Sequence, residues 1–446
     1  MNLIEEALKY TTDTKDCIVA VGALAKTPDM FKKLFPGEKA IVVADTNTWR
    51  VAGEAVQKAL EAAGVATEKP FVFTDPELFA EWSYVIELEN ALKGLNAIPV
   101  AVGSGVINDL CKLVSHRLGR RYMVMGTAAS MDGYSAANSS ITKDGIKQTM
   151  SCRAPLGCIV DSKIAAEAPK EMVASGYADL IAKIPAGADW MLADAIGSEA
   201  IHELAWRFVQ GPLRDSLSAP EKCAAGDVAE TEKLCSGLVM SGFAMQAMDS
   251  SRPASGTEHQ VSHYLDMEGL CYNGKHVSHG FKVGLGTLAS TKTLEFILRQ
   301  DLANLDVDAA AAKWWPDFAT VKATFPKVFG PRKAHIVRAE DEFAKKCPTP
   351  EGLKKELSVL KAKWPELAPK IKAQIMPFEE VRAKLVAVGA PVEPEQVGIS
   401  RARFLETYRG VPYMRARYFG LDLVERLGLL DAHLAELFGK GGVWAV

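Results

Sequence analysis

Between residues 39 and 126 the chain repeats one pattern: a short, wholly apolar run, a turn of glycine or polar residues, then a stretch with helical spacing of apolar positions. Lys39–Asp45 predicts a buried strand ending on an acid, Trp49–Ala63 a helix, Phe71–Phe73 a short strand and Trp82–Lys93 a helix. Ala97–Gly103 predicts a strand running into glycine, Asp109–Leu118 a helix and Arg121–Gly126 another strand. Such alternation predicts a parallel sheet covered by helices, with right-handed crossovers. From about Ala165 helical periodicity takes over and few β runs remain. The change places a boundary near Asp161–Ala168, with an α/β domain over 1–165 and a helical domain over 166–446. The segment Asp301–Pro369, rich in Lys, Ala, Trp and Pro, reads as surface helices and loops, a candidate insertion. There is no internal repeat, coiled coil or low-complexity tract.

Composition narrows the partners. The 446 residues are 48% apolar and 24% charged, with a net charge of −3. These values are ordinary for a globular protein and give no reason to expect nucleic acid or an acidic membrane surface. Eight cysteines are scattered without a CxxC pair, which argues against a thiolate zinc site. Met1–Glu6 is acidic and lacks the apolar core of a secretory leader, so the cysteines read as reduced cytoplasmic thiols. No apolar stretch reaches the ~18 residues of a membrane span.

Four constellations carry candidate chemistry. Gly103-Ser104-Gly105-Val106-Ile107-Asn108-Asp109 follows a strand and precedes a helix, where backbone amides can meet a pyrophosphate. It lacks the full GxGxxG fingerprint, so an ordinary glycine turn explains it equally well. Gly126-Thr127-Ala128-Ala129-Ser130-Met131-Asp132-Gly133 follows the next strand. Thr127 and Ser130 are donors suited to phosphate or a nicotinamide amide, and Asp132 suits a substrate hydroxyl. Ser, Thr, Asp and Gly are also common in capped turns. Asp45 can bind ribose hydroxyls and disfavour a 2′-phosphate, or simply cap a helix. Asp179 stands in an apolar helical stretch, where a lone acid needs a partner or a metal, and Lys183 at i+4 offers the plain ion pair.

Histidines are concentrated. Of eight, His202, His259, His263, His276 and His279 fall between residues 202 and 279. His259 and His263 share a helix face at i,i+4. Histidine nitrogens with a carboxylate suit Zn²⁺, Ni²⁺ or Fe²⁺, and three protein ligands drawn from this cluster and Asp179 would leave coordination positions open for a substrate oxygen. A zinc-protease reading fails because Gln260, not Glu, follows His259.

Gly103–Asp109, Thr127–Gly133, Gly176–Trp190 and Ser251–Met267 together resemble the sn-glycerol-1-phosphate dehydrogenases. Ser251-Arg-Pro-Ala-Ser-Gly-Thr-Glu-His-Gln-Val-Ser-His263 carries the bacterial form of the likeness, and Arg415-Ala-Arg-Tyr418 with Leu421–Leu423 echoes it near the C-terminus. That family sits among iron-type alcohol dehydrogenases, glycerol dehydrogenases and dehydroquinate synthases. The resemblance implies an N-terminal Rossmann-like domain and an all-α C-terminal domain, a dehydroquinate synthase-like fold with the site in the cleft between them. It implies one divalent metal on Asp179, His259 and His279, and NAD(H) or NADP(H) against Gly105–Asp109 and Thr127–Ser130. Asp132 and His263 fall at substrate-contacting positions. A cytoplasmic homodimer is the expected form. Departures at Ala136, Pro185, Phe281 and Phe419-Gly420 leave the metal ligands untouched.

The expected reaction reduces dihydroxyacetone phosphate to sn-glycerol 1-phosphate. His263 would relay the proton with a near-neutral pKa. Related polyol or phospho-aldehyde dehydrogenases are alternatives, as is a dehydroquinate-synthase-like cyclase, although that likeness usually carries Glu where Asp179 stands. A metal-binding protein without catalysis is the third reading. Lys143, Lys147, Arg153 and Lys275 are near the motifs as cations for a substrate phosphate, and the sequence does not choose among them.

Overall fold

The computed structural model describes residues 3–144, 146–313 and 317–446. The first two residues of the acidic N-terminus, and 314–316 of the expected surface segment, lie outside the described residues. Contacts divide the chain into two compact units: 1–180 with 204–254 and 387–389, and 181–203 with 255–386 and 390–446.

The first unit is built on a six-stranded parallel sheet. Its strands are β1 (Asp16–Ala20), β2 (Ala40–Asp45), β3 (Phe71–Phe73), β4 (Ile98–Gly103), β5 (Met123–Gly126) and, after a β6–β7 hairpin (Ser139–Lys143, Ile146–Met150), β8 (Gly157–Asp161). Their order is β1-β8-β5-β4-β2-β3, and every pairing in the sheet is parallel. Val42, Val100, Val102, Met123, Met125 and Ile159 fill one core from neighbouring strands. The chain goes outward from β2 to β3, then returns to β4 on the other side of β2. The carboxyl ends of β2 and β4 therefore flank a switch point, the position where open α/β sheets take ligands.

β1 and β8 join the strands expected from the sequence. They pair in register from Asp16↔Gly157 to Ala20↔Asp161, and all five residues of β8 are buried. The helix expected from Asp109 begins instead at Gly105 and runs to Arg117. The residues read as a loop are its first turn.

Among its described residues, the second unit is helical apart from a two-by-two hairpin, Cys271–Tyr272 with Lys275–His276. The segment 301–369 is not surface decoration; it builds this unit's core. In the Pro350–Gln374 helix, Leu353, Leu357, Leu360, Trp364, Leu367 and Ile371 are buried at alternating spacings of four and three, the stripe of a core-facing helix. Phe325, Phe329 and Phe343 come from the preceding two helices and join the same core. The stripe lies between many lysines, which cover the outer face and give the segment its surface-like composition. Among the described residues, no helix is long and apolar enough to cross a membrane.

Candidate metal and cofactor site

At the carboxyl end of β4, Ser104 is extended and the Gly105–Arg117 helix starts after it. The Asn108 N–H already donates to Ser104 O at 3.0 Å. The three amides before it, of Gly105, Val106 and Ile107, precede the first intrahelical bond and are aimed along the helix axis, a ready anion site.

The side chains of Asn108 and Asp109 turn the other way. Asn108 Nδ2 donates to Gly133 O at 3.1 Å, and its Oδ1 accepts from the Tyr122 hydroxyl at 2.9 Å. Asp109 Oδ2 accepts from the Ser140 N–H at 3.2 Å. Lys112, fully buried, donates to Gly133 O at 2.9 Å and Asn138 O at 3.0 Å, and pairs with Asp109. These three side chains moor the loop carrying Thr127–Asp132. Sequence reading missed Lys112. Its signal was a lone cation in the run Leu110-Cys111-Lys112-Leu113-Val114.

The same loop is moored from its far side. Tyr134 donates to Ala128 O at 2.8 Å, and Ser175 Oγ donates to Ser130 O at 3.2 Å. Thr127, Ala128 and Ala129 are buried, and Ser130 is half-buried. The Lys170–Ile181 helix comes so close at Gly176 that a Cβ there would lie 2.0 Å from Ala129 O. One turn later, that helix delivers Asp179, fully buried, whose Oδ2 accepts from the Asp132 N–H at 3.0 Å. Asp132 Oδ2 accepts from the Ser241 hydroxyl at 2.9 Å.

Asp45, at the end of β2, acts as a helix cap. Its Oδ1 accepts from the N–H groups of Asn47 and Thr48, at 2.7 and 2.9 Å, while Thr48 Oγ1 accepts from the Asp45 N–H. Of the cations near the motifs, Lys143 lies 4.2 Å over the Trp82 ring and Arg153 binds Asp13 at 2.8 Å. Lys275 stands on the exposed hairpin.

In the second unit, the Thr257–Asp266 helix carries His259 and His263, and the His279–Leu298 helix opens on His279. Two capping contacts hold their starts. Asp189 Oδ2 takes the Thr257 N–H and hydroxyl, each at 2.8 Å, and Ser278 Oγ accepts from the Phe281 N–H. The helices are in backbone contact at Gly286, where a Cβ would lie 2.3 Å from Glu258 O. The rings of His259 and His279 are consequently 5.3 Å apart by centroid, and those of His259 and His263 are 6.5 Å apart.

Each histidine of the closer pair is oriented through Nδ1. Glu258 Oε1 lies 2.8 Å from His259 Nδ1 and also accepts the Gly256 N–H. Ser262 Oγ lies 3.1 Å from His279 Nδ1. A carboxylate on Nδ1 leaves the Nε2 lone pair for a metal. Sequence reading missed this role of Glu258; an acid directly before a candidate ligand histidine was the available signal.

Asp179, His259 and His279 each offer one ligand atom, and the three atoms lie within 4.8 Å of one another. Among the described residues this is the one such group of three or more His, Cys, Asp or Glu side chains. Two nitrogens and one carboxylate oxygen, with one imidazole oriented by an acid and the other by a hydroxyl, fit a divalent transition metal. His263 differs from the near-neutral expectation. Burial holds its pKa well below the usual histidine range, His259, His279 and Arg415 push the same way, and Asp266 opposes them.

The sequence pattern of the family described as iron-containing alcohol dehydrogenase matches residues 18–169. Glycerol dehydrogenase from Schizosaccharomyces pombe shares the fold with a TM-score of 0.60 at 14% identity, over 95% of this chain and 90% of that one. The fold is that of the iron-type alcohol dehydrogenase and dehydroquinate synthase-like class. Within that class, a protein from Bacillus velezensis named glycerol-1-phosphate dehydrogenase (NAD(P)+) is 30% identical over 303 residues, 65% of this chain and 76% of its own length. A protein of the same name from Bacillus licheniformis is 29% identical over 430 residues, 95% of this chain and 92% of its own. The chain belongs to the glycerol-1-phosphate dehydrogenase family.

Proposed function

We propose that the protein catalyses the NAD(P)H-linked reduction of dihydroxyacetone phosphate to sn-glycerol 1-phosphate, and its reverse, with Asp179, His259 and His279 holding one Zn²⁺, Ni²⁺ or Fe²⁺ ion. The observation that carries this reading is the three-ligand group in a member of this family. A metal there supplies Lewis acidity toward the substrate oxygen, and the nicotinamide supplies the hydride.

The chain's own residues do the rest. The first-turn amides of Gly105, Val106 and Ile107 receive the pyrophosphate, with Gly103 and Ser104 leading into them and Asn108 and Asp109 behind. Thr127, Ala128, Ala129 and Ser130 line the nicotinamide side. Asp132 and Asp179 address the substrate's hydroxyls. His263 relays the hydroxyl proton toward solvent in the oxidative direction, taking it on one ring nitrogen as the other releases one, and runs the same relay in reverse in the reductive direction. The working form is a cytoplasmic homodimer.

The test is NADH oxidation with dihydroxyacetone phosphate by metal-loaded protein, with stereochemical analysis of the product. One NADH consumed per sn-glycerol 1-phosphate formed is the expected result. Turnover without net NADH loss points to a redox-neutral cyclase, and a metal-loaded protein that turns over nothing removes the enzymatic reading.

We place Asp45 at the ribose as well as at the helix cap. Asp45→Ala should then raise KM for NADH more than for NADPH, while loss of the cap costs about 1 kcal/mol in thermal unfolding. Equal effects on the two cofactors leave Asp45 with the cap alone.

A further inference from the structure

His279 is held by a chain of buried side chains that runs away from the metal ligands. Ser262 Oγ lies 3.1 Å from His279 Nδ1 and 3.4 Å from Asp266 Oδ2. Asp266 Oδ1 pairs with Lys282 Nζ at 2.5 Å, and Lys282 also donates to Val277 O at 2.8 Å. Ser262, Asp266 and Lys282 are all more than nine-tenths buried. Ser262 and Asp266 are one turn apart on one helix, as His279 and Lys282 are on the other, so the four side chains close a square between the two helices.

The direction of every bond in this square follows from donor and acceptor counts. A lysine-paired carboxylate only accepts, so Ser262 must donate to Asp266. The hydroxyl proton is then committed, and what Ser262 offers His279 is a lone pair. Nδ1 must therefore carry the ring proton, and Nε2 is left as the ligand atom.

We propose that Ser262, Asp266 and Lys282 are positioning residues that lock His279 in the Nδ1-protonated form and thereby set the protein's affinity for its metal. His259 receives the same service from one carboxylate directly, whereas His279 receives it through a hydroxyl whose acid is neutralised by Lys282. The two ligand histidines are thus unequally supported. The His279 branch is the weaker donor and the one that a remote residue can tune. The inference rests on the metal reading above.

The experiment measures Zn²⁺ affinity of metal-free protein against a chromophoric chelator, for the parent, Ser262→Ala, Asp266→Asn and Ser262→Thr. The ring nitrogens are followed by NMR in ¹⁵N-histidine-labelled samples. Ser262→Ala and Asp266→Asn should weaken Zn²⁺ about 10–100-fold. NADH affinity should stay near the parent's in both variants, as should the unfolding temperature of metal-free Ser262→Ala; Asp266→Asn, which leaves Lys282 buried without its carboxylate, should unfold at a lower temperature. Ser262→Thr, which keeps the hydroxyl, should retain most of the affinity. Ser262→Ala should also shift the His279 ring nitrogens away from the Nδ1-protonated pattern in metal-free protein. Zn²⁺ affinity within threefold of the parent in both Ser262→Ala and Asp266→Asn overturns the proposal. A parent that binds no Zn²⁺ removes the metal reading instead; the ring-nitrogen pattern then decides the lock by itself, and an unchanged pattern in Ser262→Ala overturns it.

Discussion

His279→Ala is expected to lose its metal and its activity together while NAD(H) binding stays within about threefold of the parent. Four-ligand zinc sites bind with roughly 10–16 kcal/mol, so one ligand accounts for about 3–4 kcal/mol, or ~10²–10³-fold in affinity at 1.4 kcal/mol per decade. Loss of kcat should be at least as large, since both the metal and its geometry are gone. The fold should tolerate the change. His279 is the first residue of its helix, and the cap at that end is the neighbouring Ser278, whose hydroxyl accepts from the Phe281 N–H. The 127–133 loop and the strand after it are anchored by Asn108, Asp109 and Lys112 through Gly133, Asn138 and Ser140. Metal content by elemental analysis, NADH affinity by fluorescence titration and steady-state rates check the three parts separately. Survival of activity refutes the ligand assignment.

The second large effect comes from a residue with no side chain. Gly286→Ala places a carbon 2.3 Å from Glu258 O and 2.9 Å from Glu258 Cα. Both obstacles are backbone, so the two helices must move apart. Overpacking of this kind costs about 1–3 kcal/mol, and more where nothing can yield. At roughly 2–4 °C per kcal/mol for a unit of this size, the unfolding midpoint should fall by about 2–12 °C. Metal ligands must hold their distances to about 0.2 Å, and a forced separation of His259 from His279 breaks that limit. Metal affinity should therefore fall by at least tenfold although no ligand is altered. Differential scanning calorimetry with a chelator competition checks both effects. Parent-like metal affinity in a destabilised Gly286→Ala protein means that the site does not depend on this approach of the helices.

The legible parts of this molecule are the locally encoded ones. β2, β3, β4 and β5 announce themselves as apolar runs between turns. Asp16–Ala20 and Gly157–Asp161 each carry Cys-Ile-Val, a run too short to stand out, and their pairing joins residues far apart in sequence. The start of the Gly105–Arg117 helix was misplaced by four residues because glycines inside a first turn look like a loop. The histidine cluster was visible from type and spacing alone. The parts of the candidate site that depend on two helices meeting were not. Glu258 on His259, the Ser262–Asp266–Lys282 chain on His279 and the Lys112 mooring of the 127–133 loop are tertiary contacts without a periodic signature. His263 shows the same limit. Its type suggested a near-neutral base, but only packing reveals the burial that holds its pKa down.

The partnership of β1 with β8 also bears on how the chain is made. Asp16 waits for Gly157, so the first of the sheet's strands to be made is the last to find its neighbour. At about 5–20 residues per second of synthesis, the nascent chain carries an unpaired Cys17-Ile18-Val19 for roughly seven to thirty seconds, while β2, β4 and β5 can already assemble. The second thiol of the pair of strands, Cys158, arrives opposite Cys17 only at the end of that interval. Chaperone demand and vulnerability to thiol oxidation during expression should therefore concentrate in this early window, and ease once residue 161 has cleared the exit tunnel.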